Sequence, residues 1–274
     1  MTAALLGLAA AFANAAGQLM SKDFTRRYPA RQMIGPLYVL NCALVLPFAP
    51  FAPWTWSPEI VGLHGLAIAA MILTALSTWD LLAHGDASAQ LTATALAPLP
   101  AVVLTGLLLP GSLDPAQVVA AAVVVVGVTL SLRDAFGSLG RAGSIVRILG
   151  VAFGTAALTL TAKLLADRGV GVVETYVVRT AVAGVLFTIL IRPRDVDFHE
   201  LPRMVVRAAA ITTYFLLVIV AVGQGSPAVV QTMVATTPLW ALGYEWGREG
   251  RRPRAPALAA AGLVALGVAI TFLA

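Results

Sequence analysis

Two ionisable residues lie inside apolar segments, where contact with water does not readily account for them. Arg179 falls within the apolar run 172–192, and Asp80 falls near the end of the run 60–84. Ionisable groups in such segments are costly and usually mark a cavity or a pathway. Glu174 precedes Arg179 by five residues, whereas helix neighbours pair at three or four, so the two side chains point roughly 140° apart. Arg179 must therefore find its partner on another helix, in water or on a ligand.

The planar guanidinium of Arg179 can donate two parallel hydrogen bonds to a carboxylate, and both a structural and a ligand-facing role stay open for it. Asp80 is either a functional acid or an interfacial one, because it lies one turn from the end of its run. Amides and aromatic residues with a polar atom also need outside partners in a dry bundle. The candidate substrate-binding residues are Asn14, Gln18, Tyr38, Asn41, Asp80, Tyr176, Arg179, Gln231 and Trp240.

The sequence contains no arrangement of residues typical of an enzyme. It lacks a Gly-rich loop ending in Lys-Ser/Thr that would hold a nucleotide phosphate. A single cysteine, Cys42, and three histidines exclude an internal disulfide framework and a cysteine-cluster metal site. We therefore expect no catalytic residues, no cofactor and no metal.

The amino-acid composition indicates whether the chain folds in water or in a membrane. Hydrophobic residues make up 59% and charged residues 11%, against roughly 45–50% and 25% in soluble domains. These values exclude a soluble domain, and they also exclude a chain too polar to fold. The net charge of +5 does not indicate a nucleic-acid partner, because the positive residues concentrate in short loops between apolar runs. The expected partners are the lipid bilayer and a small-molecule substrate.

Apolar runs of about 20 residues are long enough to cross a bilayer as helices, and lipid requires helices because it offers no partner to free backbone groups. The first run is interpreted as a span and not as a signal peptide, because no positive charge precedes it. The prediction is an all-α polytopic membrane protein. Its ten spans are 2–21, 31–50, 60–84, 87–110, 115–133, 147–167, 172–192, 204–223, 226–247 and 255–274.

The second half of the chain repeats the first. Spans three and four align with spans eight and nine at an offset of 138 residues, so that Ala83 and Pro100 fall on Ala221 and Pro238. Each repeat has five spans, so the second copy must enter the membrane with opposite polarity. Inverted repeats of this kind are typical of secondary transporters. We assign the repeats to residues 1–134 and 147–274, joined by a cytoplasmic linker at 135–146.

These features resemble the drug/metabolite transporter superfamily with two EamA-like domains. The resemblance covers the whole chain and implies export of amino acids or related metabolites, without indicating a particular substrate or an oligomeric state. The first repeat departs from the family pattern, with Gly111 where Glu249 would predict an acid. The matching residues are Ala83, Ala221, Pro100, Pro238, Lys163, Arg179, the turn 247–249 and the Gly-Val pairs at 127–128 and 267–268.

The expected mechanism is alternating access around a cavity near mid-membrane at the repeat interface. Pro100 and Pro238 are the candidate hinges, because proline interrupts the helix hydrogen-bond ladder. Asp80 is the only carboxylate considered as a proton carrier, and its shallow position favours facilitated transport over proton exchange. A flippase for a lipid-linked sugar and a non-transporting scaffold or assembly partner are the alternatives.

Charge predicts the orientation of the chain. Of the 18 lysines and arginines, fifteen, Arg207 among them, are assigned to the loops after spans one, five, seven and nine. Positive loops stay in the cytoplasm, so both termini of this multi-pass cell-membrane protein are expected to face outward. Ten-span members of the family usually keep the C-terminus inside, and the charge count opposes that arrangement.

Overall fold

The computed structural model describes residues 1–84, 93–109, 111, 113–131, 142–193, 197–249 and 255–273. Short 3-10 helices occupy Leu46–Phe51 and Phe198–Glu200. The α-helices, in chain order, are α1 (Thr2–Thr25), α2 (Ala30–Val45), α3 (Pro58–His84), α4 (Pro98–Leu108), α5 (Pro115–Ser131), α6 (Ala142–Ala166), α7 (Val172–Ile191), α8 (Leu201–Gln224), α9 (Pro227–Val234), α10 (Thr237–Glu249) and α11 (Ala255–Leu273).

Six helical segments are long and apolar enough to cross a membrane, among them α2 together with the 3-10 helix that follows it, and shorter apolar helices occupy Ala93–Leu108, Pro115–Gly127 and Ala261–Phe272. The predicted ten-span, all-α membrane fold is confirmed, with α9 and α10 together forming the ninth span. Large apolar side chains cover the outer surface, as shown by Leu107 at 71% and Leu190 at 75% exposure. A surface of this kind is suited to lipid, where apolar contact with the surroundings costs nothing.

The two repeats pack on each other in a symmetric pattern. Helix α1 packs on α8, and its repeat mate α6 packs on α3, the repeat mate of α8. The remaining large contacts join equivalent helices directly, α2 with α7 and α5 with α11. The two-fold axis thus relates the α1–α8 contact to the α6–α3 contact, and it maps the α2–α7 and α5–α11 contacts onto themselves. An inverted two-fold arrangement requires this pattern. A cavity lies between the helices that these contacts join, α1, α2 and α3 of the first repeat and α6, α7 and α8 of the second.

The helices that carry Pro100 and Pro238 are interrupted at equivalent points. The helical turn beginning at Ala93 gives way to a turn at residues 96–97 before α4, and α9 gives way to α10 at residues 235–236. A proline displaces the carbonyl four residues before it. Near the second break Thr237 Oγ1 donates to the Val234 carbonyl at 2.6 Å, which satisfies the displaced group. The structure thus places both prolines at bends, and their function as hinges stays a prediction.

Small residues allow the inner helices to approach closely, as expected for membrane helices. A Cβ atom at Gly150 would meet the Ser77 hydroxyl of α3, and one at Gly154 would meet the Thr74 hydroxyl. On α1, a Cβ atom at Gly17 would lie 2.5 Å from Cδ1 of Ile211 in α8. The faces of α1 and α6 that carry these glycines are therefore helix-packing faces.

Candidate functional site

A cavity lies between the inner helices of the two repeats, within the half of the bundle where α3 ends and α8 begins. Side chains of α1, α2 and α3 line it from the first repeat, and side chains of α6, α7 and α8 line it from the second. The volume of the cavity is about 50 Å³, enough for a few water molecules. The cavity thus lies at the interface between the two repeats, as predicted.

The first repeat contributes neutral polar groups to the cavity. Gln18 Nε2 donates to Asn14 Oδ1 at 3.2 Å, and Asn14 Nδ2 donates to Thr237 Oγ1 at 3.4 Å beside the break between α9 and α10. Asn41 also lines the cavity, and neither polar atom of its buried side chain has a hydrogen-bond partner. Its amide is available to a ligand.

Arg179 of α7 is 1% exposed and lines the same cavity. Its guanidinium carbon lies 5.1 Å from the centre of the Phe215 ring and 5.8 Å from that of Tyr176. Its Nε and Nη2 atoms have no hydrogen-bond partner. Glu174 faces elsewhere, because its Oε2 accepts the Thr55 backbone N–H at 3.0 Å. Arg179 and Glu174 form no ion pair within their helix, in agreement with the prediction from their spacing.

Arg207 is a second buried cation in the cavity, contrary to the prediction that it lies in a cytoplasmic loop. It was counted among the cytoplasmic loop charges, but it lies two turns into α8 and is 4% exposed. Its Nε donates to Ser21 Oγ at 2.9 Å, and its guanidinium carbon lies 5.6 Å from the centre of the Trp79 ring. Its Nη1 atom has no hydrogen-bond partner. The signal was available, since the predicted span 204–223 already contained it.

Five of the predicted residues, Asn14, Gln18, Tyr38, Asn41 and Arg179, line the cavity. Three others lie outside its lining. Tyr176 is fully buried and shares a 2.8 Å hydrogen bond with Thr212. Gln231 donates from behind the wall to Thr159, which does line the cavity. Trp240 is 43% exposed and packs edge-on against Phe12, because the break before α10 turns it outward.

The last predicted residue, Asp80, lies in an ion-pair cluster at the end of the bundle. Its carboxylate lies 3.2 Å from Nε of Arg31 and 3.7 Å from Nε of Arg147. It is not among the lining residues of the cavity. This is the interfacial position that the sequence left open, and the cluster ties α2 and α3 of the first repeat to α6 of the second.

The opposite end of the bundle carries two further acids. Glu59 accepts a hydrogen bond from Arg168, and this contact raises the pKa of the Arg168 guanidinium. Glu174 is fully buried, with Oε1 3.8 Å from Nε2 of His64. No role was predicted for Glu174 or His64, and Asp80 was the only carboxylate considered as a proton carrier. Because Glu174 is buried, it is a second candidate for a proton carrier.

The chain is similar to known proteins in sequence family and in fold. A model of the EamA-like transporter family matches residues 1–133 and again residues 143–273. A solved structure described only as "Crystal structure of protein" has a TM-score of 0.75 and 19% sequence identity, covering 99% of this chain and 96% of the other. No match was found among curated proteins. The chain belongs to the EamA-like transporter family, and it is therefore a multi-pass secondary transporter of the drug/metabolite transporter superfamily and not an enzyme.

Proposed function

We propose that this protein exports a small organic metabolite, such as an amino acid, through the cell membrane by alternating access. The substrate occupies the cavity between the repeats, and its carboxylate binds Arg179. The observation that carries this proposal is a buried guanidinium with unpartnered N–H groups facing a cavity lined by both repeats. A buried charge without a partner costs several kcal/mol, so a bound carboxylate would relieve a penalty that the empty cavity bears.

The proposed transport is facilitated, down the gradient of the substrate. Proton exchange requires an acid that the substrate and the proton can both reach. Among the described residues that line the cavity there is no carboxylate. Asp80 contacts Arg31 and Arg147, and Glu174 accepts a backbone hydrogen bond from Thr55. Both acids therefore have structural partners outside the cavity.

The two alternative functions fit the cavity less well. A flippase for a lipid-linked sugar must pass a bulky head group that remains attached to its lipid, and this cavity is narrow, with a volume of about 50 Å³. A scaffold has no use for buried polar atoms without partners, since native interiors satisfy nearly all of them. Asn41 and Arg179 leave several such atoms facing the cavity.

The test is flux of a metabolite panel into proteoliposomes, with and without an imposed pH gradient. We expect downhill flux of a carboxylate-bearing metabolite that is lost in Arg179→Gln and kept in Arg203→Gln, which removes an exposed arginine of α8. The flux should survive in Asp80→Asn and Glu174→Gln. Uphill accumulation that needs the pH gradient and disappears in either acid variant would show that transport is proton-coupled. Flux that is indifferent to Arg179→Gln would remove the proposed site.

A further inference from the structure

Two arginines line the cavity, and both belong to the second repeat. Arg179 of α7 and Arg207 of α8 both line the cavity, at 1% and 4% exposure. The residue equivalent to Arg179 in the first repeat is Asn41, which is neutral, and the residue equivalent to Arg207 is Ala69. The site is thus asymmetric in charge although the helices around it are arranged symmetrically.

Neither guanidinium is neutralised by the part of the protein that the structure describes. No described carboxylate lies within 4.0 Å of either group. Their neighbours are aromatic rings, Phe215 and Tyr176 for Arg179 and Trp79 for Arg207. Ring faces stabilise a cation without occupying its N–H groups, so each fork is held in place with hydrogen-bond donors left over.

A ligand in the cavity would interact with both guanidiniums. Arg179, Arg207 and Tyr38 of α2 line the same cavity. A ligand with one negative charge would compensate one guanidinium and leave the other buried without a counter-charge. A ligand with two negative charges would compensate both, and a cationic ligand would be repelled.

The geometry points to a small organic dianion, a dicarboxylate or a phosphate monoester, as the substrate class, with Arg179 and Arg207 each binding negatively charged oxygens. The Asn41 amide, whose two polar atoms have no partner, is placed to bind the neutral polar part of the same ligand. This inference rests on the proposed function, because it specifies the ligand of the transport cavity and gives Arg207 a role in selecting it.

The test measures ligand affinity of the full-length purified protein by thermal shift. The probes are succinate as a dicarboxylate, glycerol 3-phosphate as a phosphate monoester, lactate as a monoanion and alanine as a zwitterion. At least one of the two dianions should bind about tenfold or more tightly than lactate and alanine, and comparing succinate with glycerol 3-phosphate distinguishes the two kinds. Arg207→Gln should weaken binding of the dianion more than binding of lactate, and should thereby remove this preference.

Two further variants keep the result interpretable. Arg203→Gln removes an exposed arginine one turn before Arg207 on the same helix, and it should leave the preference for dianions intact. Arg207→Lys retains the charge and should retain part of the preference, which separates a loss of charge from a loss of folding. Dianions that bind no better than lactate would overturn the dianion inference. If lactate or alanine binding still depended on Arg179, the proposed function would stand, whereas no binding by any probe would count against both.

Discussion

Gly154 of α6 provides a sharp test of how the two repeats pack around the cavity. A Cβ atom at this position would collide with Thr74 Oγ1 of α3 and lie 3.1 Å from the Ala70 carbonyl oxygen. The Thr74 hydroxyl cannot move away freely, because it donates to that same carbonyl at 2.8 Å. Gly154→Ala must therefore push the two helices apart, break this hydrogen bond, or both.

The expected cost follows from these contacts. Over-packing a tight interface costs about 1–3 kcal/mol, and loss of a neutral hydrogen bond costs about 0.5–1.5 kcal/mol. The better helix propensity of alanine returns about 1 kcal/mol. The predicted net loss in the free energy of unfolding is about 2 kcal/mol, close to the centre of the over-packing range.

The assay is reversible unfolding of the purified protein in mixed detergent. Gly62→Ala on α3 is the matched control, because a Cβ atom there meets nothing within 4 Å, and it should cost nothing. Adding Thr74→Ala to Gly154→Ala removes the colliding hydroxyl and should recover part of the loss. A Gly154→Ala protein as stable as Gly62→Ala would refute the close packing of α3 on α6.

Three further predictions address the supporting residues and the orientation. Tyr176→Phe removes a buried hydrogen bond to Thr212 and should lower the free energy of unfolding by about 1 kcal/mol. Ligand affinity should not change, because Tyr176 does not line the cavity. A reduced ligand affinity would contradict this placement of Tyr176. Pro238→Ala should slow flux without weakening binding, as measured by initial rates and thermal shift, if the break before α10 works as a hinge. A cytoplasm-specific reporter fused to the C-terminus should stay inactive, and an active one would reverse the proposed orientation.

The fold could be predicted from the sequence because membrane insertion depends on the length and composition of the apolar runs, and both can be read directly from the sequence. The fixed offset between Pro100 and Pro238 likewise predicted two equivalent bends. The lack of an ion pair between Arg179 and Glu174 followed from helix geometry alone, since no acid lies three or four residues from Arg179 on its helix. These features need no knowledge of which helices touch.

The inward face of each helix was harder to predict. In a soluble helix one face is polar and points to water, but in lipid both faces are apolar, so the pattern loses this signal. Trp79 and Trp240 illustrate the result, because the sequence chose Trp240 whereas the structure buries Trp79 at the cavity and exposes Trp240. Arg207 was missed for a related reason: a cation near a span end was assumed to reach water.

The central claim is that one cavity serves both sides of the membrane in turn, and thiol accessibility tests it most directly. Thr155 of α6 lines the cavity, so Thr155→Cys is introduced in a Cys42→Ser background, which removes the only native cysteine. Thr161→Cys is the control, because Thr161 is buried on the same helix and lies outside the lining. A membrane-impermeant thiol reagent should label Thr155→Cys from either face, with labelling reduced by the transported anion, and should leave Thr161→Cys unmodified. Labelling from one face only, whatever anion is present, would contradict alternating access.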